Sequence, residues 1–149
     1  KLASELGACL LDSDTVTEPV VRAGMSLGGE DPCDRDSPVY RSAFRLPVYE
    51  CLFATAVENL PHLDVALVGP FTAEIRNPDW PAELRKRFRV EIKVTFVICN
   101  EAERKRRIQH RANPRDELKL RNWEAYLEAS DLRPPAFEHE CLVNDGLIT

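Results

Sequence analysis

Two carboxylates leave an apolar run together in Leu10-Leu11-Asp12-Ser13-Asp14-Thr15. Residues two apart at a strand end face the same side, where one carboxylate can bind a hydrated Mg2+ and the other can accept a proton from a hydroxyl. Asp and Ser also favour turns, which accounts for the same residues without any chemistry. Further along, Arg104, Arg107 and Arg111 recur at helical spacing, and Arg115 follows beyond a turn. Such a face could hold phosphates, because guanidinium clamps stabilise charge on a transferring phosphoryl group and often ride on a segment that closes over the nucleotide. Charge runs are usually surface, so taken alone the segment reads as a solvated charged helix, with Glu101 and Glu103 as partial neutralisers. Thr72 offers a hydroxyl behind Val68-Gly69-Pro70-Phe71, where Gly69 permits close backbone approach. Arg41 and Arg45, four apart on a helix begun at Pro38, and Arg22, eight residues beyond Asp14, could meet an anionic or polar substrate, or simply be surface arginines.

The elements that must position these residues are legible as alternation. Four short apolar runs read as strands: Ala8 to Leu11, Val65 to Val68, Val94 to Cys99 and Glu140 to Val143. The second and third are nearly continuous in apolar character, as suits a parallel sheet covered on both faces. Ser37-Pro38 supplies an N-cap and a first-turn proline, and Pro47 restarts or kinks the helix that follows. There Val48, Cys51, Leu52, Thr55 and Asn59 share a face, and Leu60-Pro61 ends the run. Asn100 with Glu103 resembles a capping box opening a helix through about Arg111. Asn113-Pro114 starts another, with Asp116 and Glu117 in a first turn favoured by the helix dipole and Leu120, Trp123 and Leu127 as its apolar stripe. Gly24 to Asp36 reads as one long loop. Trp80 and Trp123 read as packing residues. The order predicts a doubly wound α/β domain whose ligands sit at the carboxyl ends of parallel strands.

Composition narrows the function classes. The 149 residues fit one domain, with 44% hydrophobic and 30% charged residues. With 20 Lys plus Arg against 25 Asp plus Glu, the net charge of -5 disfavours non-specific nucleic-acid binding. Arg104 to Arg111 could revive that idea, but no aromatic platform accompanies the arginines. The five cysteines form no C-x-x-C pair and the three histidines lack ligand spacing, so neither a disulfide framework nor a zinc site is expected. Reduced thiols, the absence of a signal-peptide pattern and the absence of an apolar run of about 20 residues predict a soluble, cytoplasmic protein.

The stretch Leu6 to Val16, with its Asp-Ser-Asp, resembles the second-strand segment of P-loop small-molecule kinases: gluconate kinase, adenylylsulfate kinase, chloramphenicol phosphotransferase and zeta-toxin relatives. Val97-Ile98-Cys99-Asn100-Glu101 through Arg104, Arg107, Arg111, Pro114 and Arg115 is similar to their fourth strand and arginine-bearing lid, about residues 104–116. Cys141-Leu142-Val143-Asn144-Asp145 looks like their last strand and the turn near the adenine. The resemblance spans nearly the whole chain in order. It implies a single three-layer α/β/α domain over residues 1–149 with a mostly parallel sheet, and an ATP- and Mg2+-dependent phosphotransferase acting on a hydroxyl of a small molecule. It further implies Asp14 as catalytic base, Arg107, Arg111 and Arg115 on the transferring phosphoryl group, Arg104 and Asn144 on the nucleotide, and Asp12 on the metal. The alternative is a non-catalytic nucleotide-binding or interaction protein on the same fold. Two departures stand out. The chain contains no G-x-x-x-x-G-K-[ST], so the resemblance implies a strand and phosphate loop ahead of Lys1, whose Lys1-to-Leu6 segment reads as the tail of the following helix. The second strand also ends in Gly69-Pro70 instead of an acidic residue, a place that Asp12 would cover.

Overall fold

The computed structural model describes residues 2–35, 37–113 and 116–146. The chain is mixed α/β and divides into two compact units, Lys1–Pro70 and Phe71–Thr149. No helix among the described residues is long and apolar enough to cross a membrane.

The first unit contains α1 (Leu2–Leu6), β1 (Cys9–Asp12), α2 (Ser13–Leu27), α3 (Pro38–Ala43), α4 (Arg45–Asn59) and β2 (Val65–Val68). β1 and β2 pair in parallel, Cys9 opposite Val65 and Asp12 opposite Val68. The core is the contact of α2 with α4 and the strands: Val21 and Met25 meet an α4 stripe of Val48, Tyr49, Leu52, Phe53 and Ala56. That stripe corrects the expected face, since Cys51 is exposed, while Thr55 and Asn59 bond back to the carbonyls of Cys51 and Thr55.

Gly24 does not open a loop; α2 runs through it to Leu27. Glycine is needed there for space, because a Cβ would stand 2.7 Å from Cζ of Phe44. Ser37 caps α3 by accepting from Tyr40 N, with Pro38 in the first turn as expected. Pro47 then decides a break. Its ring lacks an N–H and clashes with the carbonyl four residues back, so α3 stops at Ala43 and α4 starts afresh at Arg45. Arg41 and Arg45 therefore lie on different helices.

The second unit contains a 3-10 turn (Glu74–Arg76), α5 (Trp80–Phe88), β3 (Thr95–Ile98), α6 (Glu101–Arg111), α7 (Glu117–Arg121), α8 (Trp123–Ala129) and β4 (Glu140–Val143). β3 and β4 pair in parallel, Thr95 opposite Glu140 and Ile98 opposite Val143. Trp80, Leu84 and Phe88 recur every four residues along α5 and are buried, and Phe71 packs on Trp80 at 5.2 Å between ring centroids. Trp123 is also buried, so both tryptophans pack as expected. The 3-10 turn is tied to the chain before β4: Arg76 donates to the carbonyls of Pro134 at 2.9 Å and Arg133 at 2.6 Å, and Ala136 N donates to Ile75 O. In place of one helix after Asn113 there are two, broken at Asn122, where φ is -120° and ψ is 55°; Pro114 lies outside the described residues.

The strands differ from expectation in cover. Leu10 and Val68 in one pair, and Val97, Leu142 and Val143 in the other, are exposed. A two-stranded sheet with four-residue strands has few layers packed against it, so apolar composition alone did not secure burial on both faces.

Arg89, the residue after α5, is left-handed with φ 58° and ψ 32°, a conformation that strains any residue with a Cβ. Its side chain is exposed. Arg89→Gly is expected to raise the stability of this unit by roughly 0.5–1 kcal/mol, the relief exceeding glycine's added freedom in the unfolded chain. An unchanged or lower urea midpoint would show that the arginine side chain contributes more than its backbone strain removes.

Candidate functional site

In an open parallel α/β arrangement the carboxyl ends of the strands are where ligands bind, so each unit presents one such end. In the first unit β1 runs directly into α2. Asp12 is the hinge residue: its backbone is still extended, with φ -96° and ψ 128°, and its Oδ1 accepts from Thr15 N at 3.0 Å. That makes it the N-cap of a 15-residue helix. Ser13 is buried beneath it, its carbonyl accepting from Thr17 Oγ1. Asp14 is exposed in the first turn of α2. The expectation that strand alternation turns Asp12 and Asp14 to one side does not hold, because the strand ends at Asp12 and helical rotation takes over. Arg22 is on the same helix, exposed and about 12 Å of helical rise beyond Asp14. Arg41 is exposed on α3, whereas Arg45 stacks over the Tyr49 ring at 5.4 Å. Thr72 is exposed and belongs to the second unit, whereas β2 belongs to the first.

Among the described residues no group of three or more His, Cys, Asp or Glu could hold a metal by itself.

In the second unit the end of β3 leads into α6, and the end of β4 leads into the turn at Asn144-Asp145-Gly146. Asn100 caps α6 by accepting from Glu103 N at 2.8 Å. The reciprocal half of the expected capping box is not made by Glu103: the Asn100 N–H goes instead to Asp145 Oδ1 at 2.7 Å. Glu103 is occupied by arginines. Arg106 donates to both of its carboxylate oxygens at 2.8 Å, and Arg107 Nε donates to Oε1 at 2.6 Å. Arg107 also donates to the Gly146 carbonyl at 2.8 Å and reaches Asn144 Oδ1 at 3.5 Å, which ties α6 to the turn after β4. Glu101, the other expected neutraliser, accepts from the Trp123 indole at 2.8 Å.

Arg111 donates to Asp116 Oδ2 at 2.6 Å, and Lys119 donates to Oδ1 of the same carboxylate at 3.2 Å. Asp116 is only 1% exposed. It is therefore an ion-pairing residue and not merely a charge in a helical first turn. Arg104 is half-buried and pairs with no carboxylate among the described residues. Arg115 lies outside the described residues. Of the expected phosphate-facing arginines, Arg107 and Arg111 are thus already engaged within the protein. The spacing of Glu103 to Arg106 and Arg107, three and four apart, carried the signal for one of these pairings. Nothing periodic announced the Arg111–Asp116 pair, which forms where α6 ends at Ala112, a left-handed residue with φ 46°.

The guanidinium groups of Arg106 and Arg107 hold the Glu103 carboxyl down to about 2 from 4.5, against the opposing pull of desolvation. A depressed carboxylate contributes stability that is present above its unfolded value and is lost as pH falls, here between about 4.5 and about 2. A carboxyl-resolved NMR titration should find Glu103 ionised at pH 4. Titration at the ordinary carboxylate value would show that the arginine pairs do not persist in solution.

No protein-family model, curated protein or solved structure matches the chain.

Proposed function

We propose that the protein is a P-loop-type small-molecule kinase with a three-layer α/β/α architecture, transferring a phosphoryl group from ATP to a hydroxyl. The observation that carries the reading is Asp14: an exposed carboxylate in the first turn of α2, at the carboxyl end of a parallel strand. A carboxylate so placed can accept the proton of an acceptor hydroxyl as the oxygen attacks phosphorus. Asp12 would hold a Mg2+ carried by the nucleotide, and the ion would neutralise phosphate charge. Arg104, without a carboxylate partner among the described residues, is the α6 arginine most available to a nucleotide. Asn144 marks the turn beyond β4, where the resemblance puts the base. Arg22, Arg41, Arg45 and Thr72 remain candidate contacts to the acceptor.

A second reading is a non-catalytic nucleotide-binding or interaction protein on the same fold. What favours it is the engagement of Arg107 and Arg111 by Glu103 and Asp116, together with the absence of G-x-x-x-x-G-K-[ST] from the chain. Calorimetric titration with ATP and Mg2+, followed by an ADP-release assay over hydroxylated metabolites in the protein's native sequence context, separates the two. Turnover supports the kinase, binding without turnover supports the second reading, and no binding defeats both nucleotide roles.

A further inference from the structure

We infer that Asp116 is a latch that holds Arg111 away from anionic ligand, so that carboxylate and phosphate compete for one guanidinium; this rests on the nucleotide-binding reading above. Arg107 is fixed from several directions, by Glu103, Gly146 and Asn144, and its side chain is 18% exposed. Arg111 differs. Its contact among the described residues is the single Nε donation to Asp116, and its side chain is 48% exposed, which leaves the rest of the guanidinium to solvent.

The carboxylate side explains why the contact can open. Removing the only partner of a buried charge carries a severe penalty. Asp116, at 1% exposure, has a second cation: Lys119 bonds its other oxygen. When Arg111 swings out to a phosphate, Lys119 remains as counter-ion and the carboxylate is not orphaned. Ala112, directly after Arg111, is left-handed and ends α6, and Asp116, five residues beyond Arg111, meets it. The pair thus links the end of α6 to the start of α7 through a contact that an anion can replace.

The population of free Arg111 then scales the apparent affinity for an anion, because a binding-competent state that is only partly populated weakens binding in proportion. Titration of the full chain with ATP and Mg2+ tests this. Asp116→Asn is expected to bind roughly tenfold tighter, and the gain should vanish in the double variant with Arg111→Gln. Lys119→Met should act in the opposite direction, because a carboxylate deprived of its second cation grips Arg111 harder. Equal or weaker binding by folded Asp116→Asn overturns the latch while leaving nucleotide binding intact. If Asp116→Asn fails to fold, Lys119→Met decides: weaker binding supports the latch and unchanged binding overturns it. Absence of ATP binding in wild type and every variant removes the nucleotide reading and the latch with it.

Discussion

Replacing Leu52 by alanine is expected to destabilise the Lys1–Pro70 unit by about 2–5 kcal/mol. Leu52 is 0% exposed, at the centre of the α4 stripe that faces α2 and both strands. Its neighbours Val48, Tyr49, Phe53 and Ala56 are anchored on the same helix, so they cannot all move inward to fill the space left by three missing carbons. Leu52→Met keeps the volume and should lose less than about 1.5 kcal/mol. Urea denaturation followed by far-UV circular dichroism is the appropriate measurement, because both tryptophans, Trp80 and Trp123, belong to the other unit and their fluorescence reports on that one. A loss below about 1 kcal/mol for the alanine variant would mean that the α2–α4 interface repacks freely, contrary to the close approach of Gly24 and Phe44.

The second large effect concerns chemistry. Asp14→Asn is expected to lower phosphoryl-transfer turnover by roughly 100- to 10,000-fold, the usual contribution of a positioned general base. The amide has the shape of the carboxylate but cannot accept a proton from the attacking hydroxyl. Because Asp14 is exposed in the first turn of α2, the folding penalty should be limited to its favourable place at the positive end of the helix, about 0.3–1 kcal/mol. Asp12→Asn is the informative comparison, since asparagine caps helices as well as aspartate does and should leave stability nearly unchanged. ADP release under saturating ATP and Mg2+ gives the turnover, and thermal melting gives the fold. Turnover that survives Asp14→Asn defeats the assignment of Asp14 as base, whatever the acceptor.

Much of the local structure was legible because it depends on residues close in sequence. Ser37-Pro38, Asn100 with Glu103, and the run Val65 to Val68 each carry their own signal, and each forms the element expected of it. Local signals misled where a distant partner gave the residue its role. Gly24 looked like punctuation but is a contact surface for Phe44, twenty residues later in the chain. Asp12 and Asp14 looked like two positions of one strand, yet the first ends the strand by capping the helix that contains the second.

The candidate site divides along the same line. Residue type, order and helical spacing determined which groups could carry chemistry: a carboxylate pair at the end of an apolar run and a helix rich in arginine. Those are properties of a covalent sequence and a fixed helical period. Only tertiary structure decided which charges are spoken for. Asp145 takes the Asn100 N–H from 45 residues away, and buried Asp116, on the far side of the α6 end, takes Arg111. Coulomb attraction and desolvation depend on distance and burial, which the chain acquires only when its segments pack.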